Sequence, residues 1–135
     1  MSKFTFNFYL DIRKPLKSKL YSIKVHLYDK EFKKSLNFTI KKVKGMEISA
    51  SKKDWLDIWE NKDKKDSFGE VIGETTVYGR KSDIRNILKV KQNNLNEIIS
   101  RKNVLTAEDV KDSFYQYVKQ EIFVNDVYAG FNSKI

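Results

Sequence analysis

The sequence has no cysteine, one histidine and one proline among its 135 residues. Without cysteine the chain has no disulfide, no thiolate nucleophile and no zinc site built on sulfur, and one histidine argues against a histidine-based metal site. No apolar run approaches the length of a membrane span, and the first residues predict a strand rather than a signal peptide. We therefore expect a reducing compartment, no metal, no cofactor and no membrane partner.

Catalytic motifs are absent as well. A Ser-His-Asp arrangement would require His26, which lies in the middle of an alternating, strand-like run. There is no HExxH motif, and the spacing of the glycines matches no phosphate-binding loop. The acidic pair Glu108 and Asp109 is explained by the preference of carboxylates for a helix N-terminus. We therefore predict that the chain is not an enzyme and has no small-molecule substrate.

Three runs of alternating apolar and polar residues lie within residues 3–41. This alternation is the period of a strand with one buried face. The apolar positions are Phe4, Phe6, Phe8, Leu10 and Ile12, then Tyr21, Ile23, Val25 and Leu27, then Phe32, Leu36, Phe38 and Ile40. Because the connections are short and polar, the runs predict a three-stranded antiparallel meander with one apolar and one polar face.

The polar face of this predicted sheet carries side chains that can reach phosphates and base edges. They are Asn7, Tyr9, Arg13, Lys24, His26, Lys33 and Asn37. The pattern has a second interpretation, because any antiparallel sheet packed on one side presents a polar outer face to solvent. Alternation by itself does not separate a binding face from a solvated one.

The distribution of charge favours a binding face. Residues 1–53 contain 14 Lys and Arg and 4 Asp and Glu, a net charge of +10, whereas the rest of the chain contains 13 and 14, a net charge of −1. A positive block on a sheet beside a neutral remainder is typical of a surface that binds a polyanion. Further candidates for phosphate contacts lie in the first loop and after the third strand: Lys14, Lys17, Lys19, Lys41, Lys42 and Lys44.

The second half of the chain has helical periodicity. It predicts a helix from Ser82 to Lys102, with Ser82 as N-cap, and a second helix that begins at Thr106 and ends near residues 121–125. A short hairpin around Gly73 and Glu74 is predicted before them. The fold class is therefore α+β. The predicted division is a basic sheet domain at 1–60, a connector or small hairpin at 61–80, a helical pair at 81–125 and a tail at 126–135.

A series of short sequences gives these elements a recognisable order. They are Leu10-Asp11-Ile12-Arg13, the basic strand Tyr21–Tyr28, Gly45 followed by Ile48-Ser49 and Trp55, a helix over residues 87–99, and Leu105–Lys111. In this order they resemble the N-terminal arm-type DNA-binding region of the phage-type integrases (tyrosine recombinases) of Bacteroidetes mobile elements. The resemblance covers roughly residues 4–115, but residues 60–80 are longer and richer in glycine than the family pattern.

The resemblance implies a DNA-binding module used in DNA recombination and integration. The catalytic Arg, His-x-x-Arg and Tyr of that family have no counterpart here, so the chain would be an isolated arm domain, a truncated product or a repurposed relative. Its expected partner is double-stranded DNA, with a protein partner or a second copy of the chain on the helical region. The expected location is the host cytoplasm, at the nucleoid. The alternative is a phage or mobile-element structural or accessory protein that acts through protein–protein contacts, located in the virion.

Overall fold

The computed structural model describes residues 3–15 and 19–117 and has an α+β fold, as predicted. Its strands are β1 (Phe4–Asp11), β2 (Tyr21–Asp29), β3 (Lys34–Thr39), β4 (Ser49–Ala50), β5 (Asp63–Lys65) and β6 (Val71–Glu74). Its helices are α1 (Lys52–Trp55), which continues as a π-helical turn (Leu56–Glu60), α2 (Arg80–Ile99) and α3 (107–117). Lys17, the predicted end of the second helix and the tail at 126–135 lie outside the described residues.

The first three strands form the predicted antiparallel meander, in the order β1-β2-β3. Their register brings Phe8, Val25 and Phe38 into one row across the sheet. Ile23, Val25 and Leu27 are fully excluded from solvent, because β2 is the central strand and this face is covered. β4 pairs with the start of β2 beyond the end of β3. The alternation in the sequence therefore separates a buried apolar face from a polar one.

The helices pack on the apolar face of the meander. The ring centroids of Phe38 and Phe114 in α3 are 5.6 Å apart, and those of Phe8 and Trp59 are 5.3 Å apart. Such tilted and edge-on contacts are the favoured geometries of aromatic pairs. The buried apolar residues of α2 belong to the same cluster and recur at helical spacing: Ile84, Leu88, Leu95 and Ile98. The polar face is consequently left on the outside.

The two long helices begin in different ways. At the start of α3, the Thr106 hydroxyl accepts the backbone N–H of Asp109 at 3.1 Å, and the Asp109 carboxylate accepts the N–H of Thr106 at 3.0 Å. This reciprocal pair is a capping box, which confirms Thr106 as N-cap. The prediction that Ser82 caps α2 is wrong. Gly79, with φ 60°, turns the chain, so the helix begins at Arg80 and Ser82 lies in its first turn.

The hairpin within residues 61–80 is paired differently from the prediction. β5 pairs with β6, so Gly73 and Glu74 lie in a strand and not in the turn. The turn lies earlier, where the carboxylate of Asp66 accepts the backbone N–H groups of Phe68 at 2.9 Å and Glu70 at 3.0 Å. An aspartate that accepts hydrogen bonds from the backbone just after it stabilises a turn. The position of this aspartate therefore determines where the chain reverses.

The ends of the meander strands also differ from the alternation. The carboxylate of Asp29 accepts backbone N–H groups of the turn at 3.0 and 3.2 Å, so residues 30–33 reverse the chain before β3 begins. Lys33 has φ 53°, and Phe32 is 56% exposed, so the prediction that both lie on the third strand is wrong. Ile12 lies past the end of β1 and is 54% exposed, not part of the apolar face.

Candidate functional site

The polar face of the meander is an open surface of hydrogen-bonding side chains. Its exposed members are Thr5, Asn7, Tyr28, Ser35, Asn37 and Thr39. The strand register arranges the face in three rows, which are Thr5–Tyr28–Ser35, Asn7–His26–Asn37 and Tyr9–Lys24–Thr39. Lys24 is the one lysine or arginine in these rows, so the centre of the face is almost uncharged.

The middle row brings three of the predicted site residues together. His26 Nδ1 lies 2.6 Å from Asn37 Oδ1, so a hydrogen bond joins the imidazole and the amide across β2 and β3. Asn7 lies on the other side of His26, on β1, and its amide has no partner among the described residues. The row thus presents one free amide and one coupled pair of polar groups at the centre of the face.

Asp11 holds two of the predicted cationic residues in place. Its carboxylate accepts hydrogen bonds from Arg13 Nε at 2.9 Å and Nη2 at 3.0 Å, and it lies 2.7 Å from Lys24 Nζ. The bonds from Arg13, and then that from Lys24, hold the pKa of Asp11 well below its ordinary value, and Asp11 in turn raises the pKa of Arg13. The Arg13 side chain remains 77% exposed, so its other N–H groups can still donate to a ligand.

Two of the predicted site residues are less accessible than the alternation indicates. The side chain of Lys24 is 25% exposed, and its ammonium is bound to Asp11. Tyr9 is half-buried, and its hydroxyl is buried without a hydrogen-bond partner among the described residues. Both side chains therefore lie close to the backbone of the sheet and do not project from the face.

The other cations of the region lie at the two ends of the face. Because the strands are antiparallel, the β1–β2 loop and the segment after β3 meet at one end, and the β2–β3 turn forms the other. The first end carries the exposed residues Arg13, Lys14, Lys19, Lys41 and Lys42. Lys44, also a predicted phosphate contact, instead lines a pocket against α2 with Asp83 and Asn86. The second end carries the exposed residues Lys30, Lys33 and Lys34. At about 3.3 Å per residue, β2 separates the two ends by about 26 Å.

A cleft of about 340 Å³ lies at the first end of the face. It is lined by Ser22, Thr39, Ile40, Lys41, Lys42, Glu47 and Ile48. Ser22 and Thr39 belong to the polar face, so the cleft is continuous with that surface. Lys41 also contacts α3, since its ammonium lies 4.3 Å from the ring centroid of Tyr115. Of the two lysines in the cleft, Lys42 has no such contact among the described residues.

Three residues of the candidate site were not identified from the sequence pattern. Lys30 and Lys34 join Lys33 at the second end, since the turn places them together. Asp11 was counted only as a polar-face residue, although it positions two cations. The spacing Asp-x-Arg at a strand end is a local signal for the bond to Arg13. The bond to Lys24 has no local signal because it depends on the register of two strands.

No three His, Asp or Glu side chains in the described part of the chain are placed to hold a metal ion. Within residues 3–15 and 19–117 there is no helix both long and apolar enough to cross a membrane. Comparison with protein-family models, curated proteins and solved structures finds no match for this chain. The function is therefore inferred from the geometry and charge of the face.

Proposed function

We propose that this chain is a DNA-binding module of a phage or mobile element that reads duplex DNA with the polar face of its meander. One observation carries the proposal: rows of hydrogen-bonding side chains, all uncharged except Lys24, are flanked at both ends by clusters of exposed lysine and arginine. In protein–DNA complexes, cations position the protein on phosphates, and amides, hydroxyls and imidazoles read base edges. The resemblance to the arm-type region of phage-type integrases implies the same partner.

The dimensions of the face are compatible with the major groove. Neighbouring strands lie about 4.8 Å apart, so three strands are about 10 Å across, and a major groove about 12 Å wide admits a β-ribbon. With the strands lying along the groove and the middle row against the base edges, the cations at the two ends of the strands would lie further along the groove, beside the phosphates that border it. The cations would supply most of the affinity and the rows most of the selectivity.

A salt titration of duplex binding tests this proposal. If about five to eight lysine and arginine side chains contact phosphates, the logarithm of affinity should fall against the logarithm of salt concentration with a slope of about −4.5 to −7. Fluorescence anisotropy of a labelled duplex between about 50 and 200 mM salt measures the slope. A slope near zero would refute the DNA-binding function.

Two double variants test whether the cations at the ends of the face contact the phosphates. Lys14→Gln/Lys42→Gln should make the slope shallower by about 1.8, because each phosphate contact contributes about 0.9. The matched control is Lys64→Gln/Lys65→Gln, which removes two lysines of the β5–β6 hairpin that are also exposed. The control should leave the slope unchanged. Equal effects of the two pairs would show that binding follows net charge and not this face.

Protein–protein contact is a second candidate function, favoured by the β5–β6 hairpin. Phe68 is 89% exposed, Val71 59% and Ile72 67%. A group of large exposed apolar side chains is typical of an interaction surface. This candidate predicts that the protein self-associates or binds a partner protein and that Ile72→Ser abolishes this association in analytical ultracentrifugation. Salt-dependent duplex binding that Ile72→Ser leaves unchanged would decide against it.

A further inference from the structure

We propose that His26 and Asn37 act as one base-reading unit that selects adenine over guanine in the major groove. The proposal rests on the proposed DNA-binding function and specifies what its central row recognises. The two residues face each other on β2 and β3, with His26 Nδ1 and Asn37 Oδ1 2.6 Å apart. Asn37 is exposed and His26 is half-buried, so both side chains are accessible on the polar face.

The hydrogen bond between the two side chains determines which of their remaining polar groups is a donor and which is an acceptor. When Nδ1–H of a neutral imidazole donates to Asn37 Oδ1, Nε2 is left as an acceptor and the Asn37 amide nitrogen as a donor. With the amide reversed, its nitrogen donates to Nδ1, so Nε2–H becomes the donor and Oδ1 the acceptor. In both arrangements the pair presents one donor and one acceptor.

This combination matches adenine and not guanine. In the major groove adenine presents the N7 acceptor and the N6 amino donor, whereas guanine presents two acceptors, N7 and O6. The pair can satisfy both groups of adenine but only one group of guanine. A polar group left unpaired in a desolvated interface loses its hydrogen bond to water without replacement. Coupling of the two side chains therefore produces a preference for adenine.

The surroundings of the pair keep this combination of donor and acceptor intact. The ammonium of Lys24, in the neighbouring row, is held by Asp11 at 2.7 Å and so is not left to bond the imidazole. Asn7, on the other side of His26, has no partner among the described residues. Its amide can turn either way and offer a donor or an acceptor. We therefore expect Asn7 to contribute affinity but not the preference between adenine and guanine.

Base substitution in a selected duplex tests the proposal. A preferred site is first selected by the wild-type protein from a library of random duplexes, and each A·T pair in it is then replaced by G·C. At one position, wild type should favour adenine by about 5- to 150-fold, the range expected for a good bidentate contact. Asn37→Ala and His26→Ala should each abolish the preference at that position while keeping the wild-type salt slope, because neither removes a phosphate contact.

Two further measurements show whether the residues act as a unit. The double variant His26→Ala/Asn37→Ala should lose no more preference than either single variant, whereas independent readers would give losses that multiply. A duplex with 7-deazaadenine at the position lacks the N7 acceptor, and it should bind wild type more weakly. The same duplex should bind Asn37→Ala as well as the unmodified one does.

Asn7→Ala is the matched control, since it removes an amide from the same row and should keep the adenine preference. The proposal is overturned, with DNA binding intact, if the His26 and Asn37 variants lower the melting temperature but leave the base preference unchanged. That result would make the hydrogen bond an ordinary cross-strand contact. Failure of the wild-type protein to bind any duplex would overturn this proposal together with the proposed function.

Discussion

Arg85 connects three segments of the chain, and its removal should lower the stability of the fold. It lies in α2 with 4% of its surface exposed. Its Nε donates to the carbonyl oxygen of Ile58 at 2.9 Å, and its other nitrogens donate to the carbonyl oxygens of Asp57 and Thr75. One side chain thereby holds both the π-helical turn and the base of the β5–β6 hairpin against α2.

The expected decrease in stability follows from the carbonyl oxygens that lose their hydrogen-bond donor. Arg85→Ala removes the donors of three carbonyl oxygens and opens a cavity, and each buried acceptor left unpaired costs about 1–3 kcal/mol. These costs share one site and are not additive, so we expect a decrease of about 3–5 kcal/mol in the free energy of unfolding. Arg85→Lys should recover only part of this loss, because one ammonium cannot donate to all three oxygens in the same geometry.

Urea denaturation followed by fluorescence of the two tryptophans measures the loss. Arg101→Ala is the control: Arg101 donates to the carboxylate of Glu97 at 3.0 and 2.6 Å on the surface of the protein, where water can replace it. The control should cost only about 0.2–1 kcal/mol, the range for an exposed ion pair. Equal losses for the two variants would refute the role assigned to Arg85.

Three other predictions test the faces, the charged cluster and the capping box. Ile23→Ala should lower the free energy of unfolding by about 2–5 kcal/mol, because the side chain is fully buried. Duplex binding by the folded fraction should be unchanged, and a loss of binding without unfolding would show that the buried and the DNA-binding face are assigned the wrong way round. The pKa of Asp11 is depressed by Arg13 and Lys24, so its stabilisation is present above its ordinary pKa of 3.8 and is lost as the pH falls. The difference in urea midpoint between wild type and Asp11→Asn should therefore shrink from pH 7 to about pH 2, and a constant difference would contradict it. Thr106→Ala should cost about 0.5–2 kcal/mol in the same denaturation assay, and a smaller loss would show that the cap is not formed.

The sequence by itself determined those features of the fold that depend only on residues close together in the chain. Side chains alternate between the two faces of a strand, so the apolar and polar sets of the meander could be assigned without coordinates. The capping box at Thr106 and Asp109 is likewise contained in four consecutive residues. Two assignments were wrong, Lys33 on a strand and Gly73 in a turn. Both were predicted from hydrophobic alternation and turn-forming residues, without the hydrogen bonds that aspartates accept from the backbone of each turn. Asp29 and Asp66 bond the backbone after them, and that bonding moves each turn away from its predicted place.

Only the tertiary structure decided how the polar residues are grouped. The register of β2 against its neighbours places Lys24 diagonally across from Asp11 and His26 directly opposite Asn37, so each pair is in contact. That register depends on the turn before β3 and on the packing of the apolar face against α2 and α3, which no local pattern contains. The turn before β3 also moves Lys33 from the predicted face to one of its ends. The sequence therefore determined which residues are polar and basic, and the pairing of distant strands decided which of them form a common surface.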